Sequence, residues 1–328
     1  MTRFLIRRVL GVLLVMLIVT AVTYALFFLL PADPARLSCG KPCTADRLAQ
    51  VRSLLGYNRS VPMQYWEFLR GIVFGRSYGT GAAIVHCSAP CFGYSFPQGR
   101  DVTSLIADRF PVTLSIAIGA ALLWLVAGVL AGIVAALYRG SWLDRLVTVG
   151  ALGGVSAPTF LVGLLGILIF GFRLNVLPVN GYVAFTDDPV QWAFHLVLPW
   201  CTLAFVFAAI YARLTRTQLL DVLNEDYIAL ARAKGLSRRR VIGRHALRAA
   251  LTPVLTLFAL DLGGLLGGAV ITEKVFGMQG LGALLIDAVG SSDLPVVVGC
   301  TIFAGFLIVL ANLVVDLTYS LLDPRVIS

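Results

Sequence analysis

The chain has 328 residues, of which 59% are apolar and 13% charged, with a mean hydropathy of +0.89. Soluble domains average roughly 45–50% apolar and about 25% charged, so an ordinary soluble enzyme and a disordered chain are both excluded. The net charge of +9 matches the basic inner loops of a membrane protein and gives no reason to invoke nucleic acid.

A membrane-crossing helix needs roughly 20 mainly apolar residues. Such stretches run from Val9 to Ala32, Phe110 to Tyr138, Leu146 to Phe172 and Pro189 to Ala212. Two more follow, Ala249 to Thr272, interrupted by Asp261, and Leu294 to Val315, continuing past Asp316 to Leu322. An all-α membrane protein with six spans is therefore predicted. The first stretch follows Arg3, Arg7 and Arg8, as a signal peptide would, but its apolar core is too long and lacks a small-x-small cleavage site before Asp33. It is expected to be a retained span. The run Val275 to Ile286 is about half a bilayer thick and is expected to be a half-buried or re-entrant segment between spans five and six, not a seventh span.

An inner N-terminus places 15 of the 26 basic residues inside, nine of them between Arg213 and Arg248. Most of the rest lie in one long outer loop, and long loops cross largely regardless of charge. Both termini are thus expected to be cytoplasmic. The predicted layout is an N-terminus with span one (residues 1–32), an outer loop (33–109), a five-helix core (110–322) containing an inner loop (213–250), and an inner tail (323–328).

In the outer loop, Thr44 can cap a helix over ADRLAQVRSLLG, which Gly56 would stop. Pro62 opens a second amphipathic stretch, to Arg70, whose Tyr65 and Trp66 suit the headgroup level. The remainder, to about Arg100, reads as irregular. Four of the six cysteines form two C-x3-C pairs here, Cys39/Cys43 and Cys87/Cys91. An oxidising exterior favours disulfides over a four-thiol zinc site, and spacing leaves the pairing open. Cys201 and Cys300 fall inside spans and suit small packing positions.

The inner loop between spans four and five carries a net charge of +6 from Arg213 to Arg248. Two short helices are implied. The first begins at Glu225 and Asp226, whose charges complement the helix dipole, and stops at Gly235. Ser237 caps the second, in which Val241, Ile242, His245, Leu247 and Leu251 lead back toward the membrane before Pro253. Two readings stand at this point. The first helix, with Tyr227, Ile228, Leu230, Ala231 and Ala233, could dock in a partner's groove. Alternatively the loop is a solvated basic segment held against anionic lipid by Arg238, Arg239 and Arg240.

The run DYIALARAKGLSRRRVIGRHALRAALTPVL, Asp226 to Leu255, resembles the cytoplasmic loop of ABC-importer permeases of the dipeptide/oligopeptide class. RFLIRRVL with the later PADPAR is similar to the start of such permeases, Gly263 to Val289 to their fifth span and the segment after it, and Asn312 to Val326 to their last span and tail. The likeness covers the chain apart from the cysteine-bearing insert. The general permease signature has Glu-Ala-Ala before its glycine, where this chain has Ala229-Leu230-Ala231, and the following Ile-x-Leu-Pro is not met.

The resemblance implies a type I importer permease whose motor is separate. Two ATPase domains or subunits would bind ATP and Mg and dock on Asp226, Tyr227, Ala231, Ala233, Gly235, Leu236 and Arg238. A second, homologous permease would complete the pore, and an extracytoplasmic binding protein would deliver a di- or oligopeptide at the cytoplasmic membrane. Related permeases carry nickel, glutathione or opines. The residues agree that the motor lies elsewhere, since no G-x-x-x-x-G-K-[ST] occurs and the only Gly-Lys, Gly40-Lys41, is followed by Pro42. No catalytic constellation, resident cofactor or metal is expected. A self-contained channel or carrier is the alternative, and a scaffold or sensor built on the cysteine insert is a third.

Charges inside spans cost roughly 2.5–3.5 kcal/mol each on insertion scales, which singles out Asp261 and Asp316. Asp316 lies four residues from Asn312 on one helical face. Asp261 is the expected pathway residue, joined by Gly264, Gly268, Glu273, Phe276 and Asn312 as pathway or gate candidates. Gly263, Gly264, Gly267 and Gly268 can serve close packing, sliding of helices, or both.

Overall fold

The computed structural model describes residues 2–29, 35–36, 39, 43–55, 60–78 and 85–322. The side chains of Arg3, Arg7, Arg8 and Asp316, and Gly40, Lys41, Gly56 and Arg325 altogether, lie outside the described residues. In chain order the elements are α1 (Thr2–Leu29), α2 (Ala45–Leu55), α3 (Val61–Phe74), β1 (Arg76–Tyr78), β2 (Val85–Cys87), β3 (Tyr94–Ser95), β4 (Arg100–Asp101) and α4 (Val102–Leu137). There follow α5 (Trp142–Ser156), α6 (Thr159–Arg173), α7 (Pro189–Leu223), α8 (Asp226–Ala233), α9 (Arg238–Leu266), α10 (Val270–Val275), α11 (Leu281–Ser291) and α12 (Leu294–Leu322).

Four of these, α4, α7, α9 and α12, are long and apolar enough to cross a membrane. The bent pair α5 and α6 makes up to five, and α1 is a further apolar helix of 28 residues. The expected third span is thus not one rod. Its halves bend by 101° at Ala157-Pro158, because proline withholds a backbone donor and drives the preceding residue to extended geometry. Ala157 accordingly has φ −81° and ψ 121°. Three other prolines, Pro111, Pro199 and Pro253, are absorbed inside helices, as neighbouring helices at membrane depth permit. The expected fifth span also ends early, at Leu266, where Gly267 and Gly268 follow and Gly268 takes φ +133°.

The chain divides into two compact units: Met1–Thr113 with Gly263–Val270 and Gln279–Ser328, and Leu114–Leu262 with Ile271–Met278. In the first unit α1 and α11 pack on α12. One core joins Val102, Leu105 and Ile106 to Leu281, Leu284, Val296 and Val297. Gly263 and Gly267 face α12, where an added Cβ would come 3.0 Å from Ala311 and 2.9 Å from Ala304.

The outer loop belongs to this unit and is more ordered than its composition suggests. Thr44 caps α2 as expected, its Oγ1 accepting from the Arg47 N–H at 3.4 Å. Helix α3 begins with Pro62 in its first turn and packs on α1 through Tyr24, Tyr65 and Phe68. Tyr65 meets Thr20 at 3.0 Å and Tyr24 donates to Gln64 at 3.2 Å. The stretch expected to be irregular forms two antiparallel hairpins, with Arg76 opposite Cys87 in one and Tyr94 opposite Asp101 in the other. Disulfides join Cys39 to Cys43 and Cys87 to Cys91, and all but Cys43 sit in a small core with Val51 and Tyr78.

In the second unit α7 is the centre, with α5 and α6 packed along it. Its start is chemically definite: Pro189 fills the first turn and Asp188 caps it, Oδ1 accepting from Val190 N–H at 2.9 Å and Gln191 N–H at 3.0 Å. Helix α4 reaches α7 through Gly128 and Gly132. A Cβ on Gly128 would sit 2.6 Å from Tyr211 Cβ, and one on Gly132 2.6 Å from the Ala212 carbonyl. Small residues at this spacing let helix backbones approach closely.

Candidate functional site: the inner loop and the span ends it grips

Helix α8 opens after Glu225 and carries Asp226 in its first turn, where a carboxylate meets the positive end of the helix dipole. It ends as the sequence requires. Gly235 takes φ +78°, the Gly235 N–H bonds the Arg232 carbonyl at 2.9 Å, and the Leu236 N–H bonds that of Ala231 at 3.3 Å. This paired closure satisfies the last carbonyls of the helix and turns the chain sharply. Ser237 then stands at the N-terminal boundary of α9 without a side-chain cap bond. The first turns of α9 run into a π-helical stretch, Val241–Ala246.

The faces of α8 divide cleanly. Ile228 and Ala231 are buried, with Ile228 wholly inaccessible. They pack with Ala136 of α4, Leu219 of α7, and Val241, Ala246 and Ala250 of α9, flanked by Ile133, Leu223 and Leu236. Burying a side chain of this size contributes about 1.5–3 kcal/mol, so α8 is fixed to the adjoining ends of three long helices. On the opposite face Tyr227 and Leu230 are 45% and 57% exposed, three residues apart and therefore neighbours. Asp226, Ala233 and Gly235 are also exposed. Partial burial and the Glu225 charge push the Tyr227 phenol above its usual range.

Sequence reading missed a brace in the same unit. Arg216 on α7 forks onto Asp144 on α5, Nε to Oδ1 at 2.6 Å and Nη2 to Oδ2 at 3.0 Å. The Gly140 N–H donates to Oδ2 at 2.9 Å, and Ser141 caps the helix by accepting from the Asp144 N–H. Asp144 is buried, and a bidentate guanidinium is the partner best shaped for it. The Ser141-x-x-Asp144 spacing was the available signal; nothing separates Arg216 from its eight basic neighbours in the loop.

Asp261 lies half-buried on α9 and accepts from the Tyr211 hydroxyl at 2.8 Å. Tyr211 and Trp124 are fully buried, and Trp124 stacks on Phe207 at 4.7 Å with Phe258 at 6.0 Å. An aromatic cluster thus holds the tyrosine that orients the carboxylate. Also in this unit, Glu273 and Phe276 are buried. The Phe276 carbonyl accepts from the Gly181 N–H at 3.3 Å, and Gly163 is within 3.4 Å of the Phe276 ring by an added Cβ. The segment Val275 to Ile286 comprises the end of α10 and the start of α11, joined around Gly277, which takes φ +61°. In the first unit Gly264 borders open space, Gly268 abuts the backbone of Gly282, and Asn312 is half-buried on α12.

Comparison with known proteins gives one family over both halves of the chain. Residues 1–117 match the N-terminal model of the membrane component of binding-protein-dependent transport systems. Residues 128–328 match the model of their inner membrane component. A Brucella abortus protein named for a peptide transport system, as its permease, is 38% identical over 326 residues, covering 99% of both chains. The glutathione transport system permease protein GsiC of Escherichia coli is 37% identical over the same length and coverage. The fold also resembles the MetNI methionine ABC transporter in inward-facing conformations, with a TM-score of 0.52 and 18% identity over 70% of this chain and 99% of that one. With both family models placed end to end and relatives matched over nearly the whole chain, the chain belongs to the binding-protein-dependent transport system inner membrane components, the permeases of ABC importers.

Proposed function

We propose that this chain forms half of the pore of an ATP-driven peptide importer in the cytoplasmic membrane of a prokaryote, with both termini inside. A second, homologous permease supplies the other half, two ATPase subunits bind ATP and Mg, and an external binding protein presents the cargo. The observation that carries this reading is α8, whose inner face is fixed to α4, α7 and α9 while Tyr227 and Leu230 project outward. A separate motor that grips the projecting face moves three span ends at once. The Arg216–Asp144 pair carries the displacement from α7 to α5. Such a device switches only if its two packings lie within a few kcal/mol of one another.

Peptide as cargo is supported by the Brucella relative, and the glutathione relative fits the same chemistry, since glutathione is itself a tripeptide. Asp261, oriented by Tyr211, is the proposed counter-charge for a peptide ammonium group. Glu273, Phe276, Gly264, Gly268 and Asn312 remain proposed pathway or gate positions. The test is uptake of labelled peptide into vesicles holding the reconstituted complex. Accumulation should require ATP, both ATPases and the binding protein, and Asp261→Asn should lower it several-fold while the complex still assembles. Flux through the purified chain on its own would overturn the reading in favour of a self-contained channel.

A further inference from the structure

In the second unit a cleft of about 450 Å³ opens between the inner ends of α4 and α7, helix α8 and the start of α9. That size lies within the roughly 300–1,000 Å³ of small-ligand sites. Leu137, Leu223, Leu236 and Ile242 give it apolar walls, and Arg232 and Arg238 add two guanidinium groups. Among the described residues neither guanidinium is in an ion pair or a side-chain hydrogen bond. The cleft is not the projecting face of α8. Arg232 is one turn from buried Ile228 and shares its side of the helix, whereas Tyr227 and Leu230 point away.

We propose that this cleft holds the phosphate headgroup of an anionic lipid from the inner leaflet, clamped by Arg232 and Arg238. Charge complementarity requires an anion, and no carboxylate of the described residues supplies one. The walls decide its source. Leu137 lies at the end of the charge-free run of α4, next to where the bilayer surface is expected, and the leucine and isoleucine walls give acyl carbons a contact that free phosphate would not use. Guanidinium forks match phosphate oxygens in shape as well as charge. A lipid seated there wedges between α8 and α9, so the leaflet itself sets how firmly the inner loop is held. The proposal depends on the loop facing the cytoplasmic leaflet and not on the cargo.

The test is lipid retention by the full complex, purified in detergent and supplied with phosphatidylglycerol or phosphatidylcholine, read by native mass spectrometry. The wild-type complex should retain phosphatidylglycerol selectively. R232Q/R238Q should weaken retention roughly 10- to 30-fold, the effect of removing two basic side chains from an anionic surface. R232K/R238K should keep most of it, which separates a lost charge from a lost fold, and R239Q, outside the cleft, should change little. Unchanged retention in R232Q/R238Q, or an equal loss in R239Q, would overturn the proposal. So would displacement of the lipid by inorganic phosphate, which assigns the cleft to a soluble anion. Loss of the ATPase from R232Q/R238Q with lipid retention intact would also overturn it, by giving the arginines to the motor.

Discussion

The loop expected outside (33–109) and the loop expected inside (213–250) solve the same problem, holding non-spanning chain in place, by opposite means. Outside, two disulfides and two short hairpins tie a small local core around Val51 and Tyr78, and Arg76 pairs with Glu67 at 3.0 Å. Inside, the described residues of the loop carry no covalent staple; α8 is held by apolar packing of Ile228 and Ala231 on three helix ends. Cross-links hold a segment whatever its neighbours do. Packing on span ends makes a segment move with them. The first arrangement suits a fixed external platform and the second suits a lever.

The strongest way to break this contrast is to cut the inner contact. Ile228→Asp buries a charge in the cluster, a change that costs several kcal/mol unless the helix lifts away. ATP-driven uptake should fall by more than tenfold while protease mapping shows normal membrane insertion; uptake near the wild-type rate would remove α8 as the coupling element. A smaller effect is expected outside. Replacing Cys87 and Cys91 by Ser removes a short cross-link worth about 2 kcal/mol by loop-closure arithmetic. Protease nicking near residues 85–95 should speed up with transport little changed, and a large transport defect would mean that the outer loop also moves.

The smallest effect is a pH dependence at the junction of β3 with α12. Ser95 donates to Asp293 at 2.5 Å, and both residues are fully buried. Burial pushes the Asp293 carboxyl above its ordinary value, outweighing the hydrogen bonds that favour the anion. A carboxyl raised on folding contributes stability that is complete below the unfolded value near 3.8 and is lost as pH rises through the folded one. Hydrogen exchange at the start of α12 should therefore quicken as pH climbs through that window, after correction for intrinsic rates. Asp293→Asn should flatten the trend; the same slope in the variant would place its origin elsewhere.

Much of this was legible in the chain. The starts of α7 at Pro189 and of α12 at Leu294, and the stop at Gly235, follow from local chemistry: a capping carboxylate, a long charge-free run, a left-handed turn that glycine adopts freely. The pairing of the cysteines within each C-x3-C was not, because spacing is compatible with several connectivities. The hairpins from Arg76 to Asp101 escaped because strands of two or three residues are too short to show alternation. The fork of Arg216 on Asp144 joins residues 72 apart, a tertiary fact that leaves no local trace on the arginine. Gly128 and Gly132 carry a small-xxx-small signal as readable as that of the glycines near Gly263. The bend at Pro158 was hidden because apolar composition continues straight through it.

Copurification of the ATPase subunits with Tyr227→Ala/Leu230→Ala tests the lever most directly, because these side chains project from α8 and take no part in the buried cluster. The account predicts that the wild-type chain brings the ATPases down while the double variant, equally abundant in the membrane, loses them together with ATP-driven uptake. Full retention of the ATPases with normal uptake would contradict it.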